Sequence, residues 1–329
     1  MNRSEYITRI ESLPNHEFES FALKVFRFQA MNNPVYGEFI GRLGIDVHDV
    51  NTLSQIPFLP VDVFKSHKVL TGSLDYEHCF TSSGTTGQNA SKHYIKDLAF
   101  YRKISGSIFK KFYGKLQDYA ILALLPSYLE RTGSSLVYMM DDFIAHAAKP
   151  HSGFYLDQLD VLNERLNELQ EEGIQTLLFG VTFALLDYAE RFTHNNPALI
   201  VMETGGMKGR RKELIREEVH DRLTAAFGVE RIHSEYGMTE LMSQAYSKGD
   251  GIFLSPPWMR VLIRDPYDPL KIAPLNMSGG VNIIDLANIE SCAFVATQDL
   301  GRLHDDGSFV LLGRFDYSDM RGCNLLIGG

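Results

Sequence analysis

The sequence predicts an α/β fold: a mainly parallel sheet covered by helices, followed by a smaller antiparallel β region. Two observations carry this. Between about residues 76 and 250, apolar strand-like runs alternate with amphipathic helical segments. After Gly251 the texture changes to short apolar runs separated by Pro, Gly, Asn and Asp. A third observation sets the scale. The 329 residues are 44% hydrophobic and 22% charged, an ordinary globular balance with material for a sizeable core.

The first 75 residues read as a helical region. Over 17–31 the apolar residues Phe18, Phe21, Ala22, Val25, Phe26 and Phe28 fall near one helical face. Asn33 and Pro34 form a cap followed by a first-turn proline, opening a second helix with Val35, Phe39 and Leu43 on one side. The segment 56–63 is apolar but holds two prolines, so it is read as a packed connector. The core region, 76–250, is read as strand 119–125, helix 155–172 with a leucine stripe, strand 176–180, helix 183–192, strand 198–203, helix 210–227 and strand 231–235. Residues 251–312 form the β-rich region, with strands at 260–263, 281–284, 293–297 and 309–312 and a hairpin turn at Asp306-Gly307.

Composition excludes several classes. The formal net charge is −9, from 41 acidic against 32 basic residues, which argues against a dedicated nucleic-acid binder. Three cysteines, Cys79, Cys292 and Cys323, are too few for a disulfide framework and lack zinc spacing; free thiols suit a reducing cytosol. Charges interrupt the N-terminus early and the longest apolar run, 119–126, is far short of a membrane span. A soluble, cytoplasmic protein is expected.

Three motifs stand out. The stretch 81–87, TSSGTTG, packs hydroxyls and glycine N–H groups that suit a polyphosphate, though it is not a Walker loop and a plain Ser/Thr/Gly linker has the same composition. The stretch 236–240, YGMTE, offers a tight turn, the Thr239 hydroxyl and the Glu240 carboxylate, a hard-oxygen ligand suited to Mg²⁺. Its plain alternative makes Thr239 the cap of a following helix. The third is TQDLG at 297–301 with GRFD at 313–316, an Asp and an Arg of the kinds that hold a ribose diol or phosphate, or else turn chemistry and a surface ion pair.

These pieces, with Thr204-Gly205-Gly206 between them and in this order, resemble the adenylate-forming superfamily of acyl and aryl ligases. Within it the chain is most similar to the acyl-protein synthetase family of bacterial fatty-acid reductase complexes, through the stretch 124–140 and the ending MRGCNL at 320–325. It also resembles phenylacetate-coenzyme A ligase. The resemblance implies the N-terminal domain fold of these enzymes, layered α/β sheets with a small antiparallel subdomain, and a hinge-like segment at 313–329 with the C-terminal lid domain absent. It implies ATP and Mg²⁺ as cofactors. Ser82, Ser83, Gly84, Thr85, Thr86 and Gly87 would bind the β- and γ-phosphates, and Gly205 and Gly206 would lie beside the adenine. Tyr236 would stack on the base, Thr239 would contact the α-phosphate, Glu240 would hold Mg²⁺, and Asp299 and Arg314 would hold the ribose.

Two departures from the superfamily pattern are visible. The lysine that often follows the phosphate loop comes late here, at Lys92, and the lid domain with its catalytic lysine is expected to be absent. Lys92, Lys208, Arg210, Arg211 or a partner would have to replace it, or adenylation is slow. The basic cluster at 208–212 otherwise reads as a solvated first turn of a helix, with Lys and Arg opposing the helix dipole. Cys323 follows Arg321-Gly322, where a cation favours a thiolate; in the family a cysteine near the C-terminus carries the acyl group. The bland reading is a small buried residue, which is how Cys79 and Cys292 are taken. His233 is read as a core histidine, with the acyl pocket as its other option. The expected activity is ATP-dependent activation of a carboxylic, fatty acid, then transfer to the Cys323 thiol for delivery to a fatty-acid reductase subunit. Transfer to coenzyme A or a carrier protein, and a nucleotide-binding scaffold without turnover, are the alternatives.

Overall fold

A computed structural model describes residues 3–82, 90–125, 133–205 and 214–315. Three helices open the chain: α1 (Arg3–Glu11), α2 (Phe18–Asn32) and α3 (Pro34–Arg42). In α2 the buried residues are Phe18, Phe21, Ala22, Leu23, Val25, Phe26 and Gln29, close to a single helical stripe. Asn33 caps α3 by accepting from the Tyr36 N–H at 3.1 Å, with Pro34 in the first turn. The buried face of α3 is Tyr36 and Ile40, one position round from the expected Val35, Phe39 and Leu43. Tyr36 stacks on Phe294 at 6.1 Å and its hydroxyl donates to the Pro57 carbonyl at 2.6 Å, so an aromatic ring with a satisfied polar tip takes the inner position.

The connector at 56–63 contains only the two-residue strand β1 (Leu59–Pro60), before α4 (Val63–Ser66). A separate hairpin follows, β2 (His78–Thr81) against β3 (Lys92–Ile95). Helix α5 (Leu98–Tyr113) is capped by Asp97, which accepts from Phe100 N–H at 2.9 Å, and ends at Gly114 with φ +90°. Then come β4 (Ala120–Leu124), α6 (Ser135–His146), β5 (Gly153–Phe154), α7 (Leu159–Glu171), β6 (Thr176–Val181), α8 (Thr182–Ala189), β7 (Ile200–Thr204), α9 (Arg216–Phe227) and β8 (His233–Tyr236). In α7 Leu162, Leu166 and Leu169 are buried, while Leu156 precedes the helix. Strand β8 begins and ends later than expected, so Tyr236 is a strand residue. The helix expected from 210 begins at Arg216, after the extended Ile215, while 210–213 lie outside the described residues.

Strands β4, β6, β7 and β8 pair in parallel, with β4 and β6 buried throughout, as a sheet covered on both faces requires. Next come β9 (Ala245–Ser247), β10 (Ile252–Leu254), β11 (Met259–Arg264), β12 (Ser278–Asp285), β13 (Phe294–Leu303) and β14 (Phe309–Arg314). These pair antiparallel with one another and with β8, in the order β11-β12-β13-β14-β10-β9-β8-β7-β6-β4-β5, while β1 pairs in parallel with β13. Parallel and antiparallel parts therefore form one sheet, and the direction changes at β8–β9. The expected hairpin turn lies between β13 and β14, with Gly307 at φ +84°.

The N-terminal helices are fastened to the β12–β13 connection. Gln29, fully buried, donates to the carbonyls of Asn288, Ile289 and Ser291 at 3.0, 2.9 and 3.2 Å. Its oxygen accepts from Ala293 N–H at 2.9 Å. Tyr6 donates to the Leu286 carbonyl, and Asn33 to that of Ser291 at 2.8 Å.

Candidate active site

Alternation along β3 sets up one side of the site. Side chains two apart on a strand share a face, and Ser91, His93 and Ile95 are buried while Lys92 is exposed. Ser82 and Ser91 close the neck before and after residues 83–89: the Ser82 N–H donates to the Ser91 carbonyl at 3.0 Å, and the Ser91 N–H to the Ser82 hydroxyl at 2.9 Å. Ser83, Gly84, Thr85, Thr86 and Gly87 lie outside the described residues.

The YGMTE stretch begins at the C-terminal end of β8, the last parallel strand. No helix follows it; the chain turns into antiparallel β9, so Thr239 is not a helix cap. At Gly237 a side chain would meet the Glu235 carboxylate, which would have to move. The turn is then held by buried polar side chains from elsewhere. The Asp285 carboxylate accepts from Met242 N–H at 2.8 Å, Ser243 N–H at 2.9 Å and the Ser243 hydroxyl at 2.7 Å. Trp258 donates its indole N–H to that same hydroxyl at 2.9 Å. Asn288 donates to the Glu240 carbonyl at 2.8 Å. His93 Nδ1 lies 2.8 Å from the Thr239 carbonyl oxygen.

Glu240 itself is buried. Burial pushes its carboxyl up from the usual range, opposed by a hydrogen bond from Ser91 and by the charges of Arg314 and Lys65. Arg314 in turn belongs to a cluster with Tyr236 and Asp299. The Tyr236 hydroxyl donates to Asp299 Oδ2 at 2.7 Å, and its ring packs edge-on to Phe253 and Phe309 at 6.0 and 5.9 Å. Arg314 Nε lies 3.5 Å from Asp299 Oδ1, on a side chain 68% exposed. Register explains the pairing, since Asp299 and Arg314 are direct partners across β13–β14. Burial raises the Asp299 carboxyl, against the Tyr236 hydroxyl and the cations Arg314 and Arg264.

Arg264 had no signal in the sequence. Its guanidinium donates to the carbonyls of Val281 and Thr297 at 2.9 and 2.6 Å and to Asn282 at 3.0 Å, lying where a side chain at Gly280 would collide with it. Burial lowers its pKa to about 10. The residues His93, Asn288 and Asp285 were equally unmarked. Their only sequence trace is polarity inside otherwise apolar strands or turns.

Thr204 ends β7, and Gly205 follows at φ +68°, its carbonyl accepting from Thr182 at 3.0 Å. Gly206, Lys208, Arg210, Arg211 and Cys323 lie outside the described residues. His233 is half-buried beside the Tyr113 hydroxyl at 3.1 Å, its pKa lowered to about 4 by burial. Cys292 is buried just before β13, and Cys79 sits half-buried on β2. Among the described residues no group of three or more His, Cys, Asp or Glu side chains could hold a metal on its own, and no helix is long and apolar enough to cross a membrane.

The fold is that of adenylate-forming ligases. The chain is similar to 2-hydroxyisobutyryl-CoA ligase in complex with 2-HIB-AMP and CoA, with a TM-score of 0.68 and 14% identity over 94% of this chain and 72% of that one. It is also similar to ATP-bound MatB from Rhodopseudomonas palustris, with a TM-score of 0.54 and 16% identity over 72% of this chain. The chain spans 47% of the MatB structure. No curated protein matches it by sequence. The family model for acyl-protein synthetase, LuxE, matches residues 11–328, and with nearly the whole chain matched the protein belongs to the LuxE acyl-protein synthetase family.

Proposed function

We propose that the protein activates a carboxylic acid with ATP and passes the acyl group to a thiol. The observation that carries this reading is that Arg314, paired with Asp299 and through it with Tyr236, also acts on the buried Glu240 beside Ser91, in a chain of the acyl-protein synthetase family. A carboxylate oxygen of the acid attacks the α-phosphorus of ATP. The bond from that phosphorus to the bridging oxygen breaks, pyrophosphate leaves and the acyl-adenylate remains. Such a step needs positioning and charge neutralisation more than covalent help from the protein.

In this reading Ser82, Ser83, Gly84, Thr85, Thr86 and Gly87 hold the β- and γ-phosphates. Gly205 and Gly206 border the adenine, Tyr236 stacks on it, Asp299 and Arg314 hold the ribose and Thr239 meets the α-phosphate. Glu240 fits Mg²⁺ as a single hard-oxygen ligand, because this ion is commonly held by one or two carboxylates plus substrate phosphates rather than by an all-protein cage. Bound there, the ion supplies neutralisation of phosphate charge.

The second step is thioester formation. A thiolate attacks the acyl carbonyl carbon, AMP leaves with the electrons of the acyl–oxygen bond, and the thiol proton goes to solvent. Burial pushes the Cys292 thiol up to about 12 and raises that of Cys79, which makes both poor nucleophiles and favours Cys323 as the acceptor. Family membership supports a fatty acid as substrate, a fatty-acid reductase subunit as recipient and the cytoplasm as the compartment. Coenzyme A as acceptor is the second reading, favoured by the likeness to a ligase holding CoA.

The test is intact-mass spectrometry after incubation with MgATP and a panel of fatty and aryl acids, alongside Cys323→Ala. A hydroxylamine-sensitive acyl adduct on the wild type, lost in the variant, is expected. Pyrophosphate release without an adduct moves the acceptor to coenzyme A or a carrier. Neither signal leaves a nucleotide-binding scaffold and sinks the activation reading.

A further inference from the structure

We propose that His93 is a positioning residue that holds the Thr239–Glu240 turn in the shape adenylation requires. The inference rests on the activation reading above and adds to it a residue that touches neither substrate nor metal. His93 is 1% exposed on β3, two residues past Ser91 on the same face. Nδ1 lies 2.8 Å from the Thr239 carbonyl oxygen, and Nε2 lies 3.0 Å from Asn288 Oδ1. The other end of the Asn288 amide donates to the Glu240 carbonyl at 2.8 Å. Two successive carbonyls of the turn are therefore held by one imidazole and one carboxamide that also meet each other. From the same strand face Ser91 acts on the Glu240 carboxyl, opposing the rise that burial causes.

The anchors are themselves fixed. Phe64 stands edge-on to the imidazole at 6.1 Å, and the Asn288 carbonyl accepts from Gln29 at 3.0 Å. A plain core role for His93 does not account for this arrangement. A ring that only filled space would gain by being apolar, because a buried polar group costs free energy unless it is bonded. Burial lowers its pKa to about 4, so the ring is neutral near pH 7 and, with an oxygen acceptor at each nitrogen, donates to the Thr239 carbonyl or to Asn288 Oδ1 but not to both at once. Supporting groups behind metal ligands act in this way, fixing the ligand without touching the metal.

The test uses the full chain with His93→Phe, which keeps the packing against Phe64, and His93→Gln, which restores a polar end. Three quantities are read: acid-dependent pyrophosphate release against ATP and free Mg²⁺, Mn²⁺ binding to the protein–ATP complex by electron paramagnetic resonance, and the melting temperature. In H93F, kcat falls by about 10–100-fold and half-saturation by Mn²⁺ rises about 10-fold, the range typical of lost supporting groups. The KM for ATP changes little, and H93Q recovers most of both losses. H93F that folds and keeps wild-type kcat and Mn²⁺ affinity overturns the proposal. So does a melting temperature that falls with Mn²⁺ half-saturation unmoved, since that marks a purely structural role. Should H93F not fold, Asn288→Ala is put through the same three measurements and decides by the same criteria. Wild-type protein that releases no pyrophosphate with any acid defeats the activation reading and this inference together.

Discussion

Glu203 and Glu235 stand on the neighbouring strands β7 and β8, and their surroundings push them apart. For Glu203 the burial penalty is outweighed by His220, the Thr182 hydroxyl and Arg216, and its carboxyl falls below the usual value. For Glu235 burial dominates; the Thr204 hydroxyl opposes it only in part, Glu203 adds repulsion, and the pKa rises from 4.5 to about 7. The folded state thus holds the Glu235 proton more tightly than the unfolded chain does. The associated stability is complete below pH 4.5, declines as the pH rises and is gone above about pH 7. The loss is at most about 3 kcal/mol by the usual conversion of a pKa shift. Glu235→Gln removes the titration while keeping an oxygen for Thr204. Urea unfolding at pH 5 and pH 8 should show the variant gaining on wild type at the higher pH. An unchanged difference would mean that Glu235 titrates normally. At this scale the sequence was legible where a motif packed several chemical groups into a few positions, as with Tyr236 and Glu240. His93 was not, because its partners lie 146 and 195 residues away and nothing local distinguishes it from any polar residue in a strand.

Among elements, α2 contributes more than apolar burial. Gln29 supplies an amide to three carbonyls and one N–H of the connection between β12 and β13, and that connection carries Asn288 and follows Asp285. Gln29→Leu keeps the volume and leaves those backbone groups unpaired. The expected cost is about 2–4 kcal/mol, as for buried groups deprived of partners, read as a shift in the urea midpoint. A shift under a quarter of that would mean that water replaces the amide. Long parallel strands were readable because burial on both faces makes them continuous apolar runs, as in Ala120–Leu124. The short strands β1, β5, β9 and β10 were not, since two or three residues carry no period. The Asn33-Pro34 start of α3 was legible from local chemistry, whereas its buried face depended on Phe294, far along the chain.

For the whole molecule, the sheet changes from parallel to antiparallel at the strand that ends in Tyr236. The C-terminal end of a parallel strand at a point where the sheet's order changes is a favoured place for a ligand to bind. The two textures were visible in the sequence as a change at Gly251; their union in one sheet was not, because pairing between β8 and β9 leaves no mark in composition. Trp258, the single tryptophan, bonds Ser243, which Asp285 holds against the chain just after Glu240. The protein thereby carries its own optical reporter. Any event that shifts the turn changes the polarity around one indole, so titration with MgATP should alter tryptophan emission without an added label. The same titration in Ser243→Ala should give a smaller change, and an equal one would trace the signal to something other than the turn. Excitation at the red edge of absorbance would then follow occupancy of the site in real time, in a chain whose 15 tyrosines and 21 phenylalanines stay dark at that wavelength.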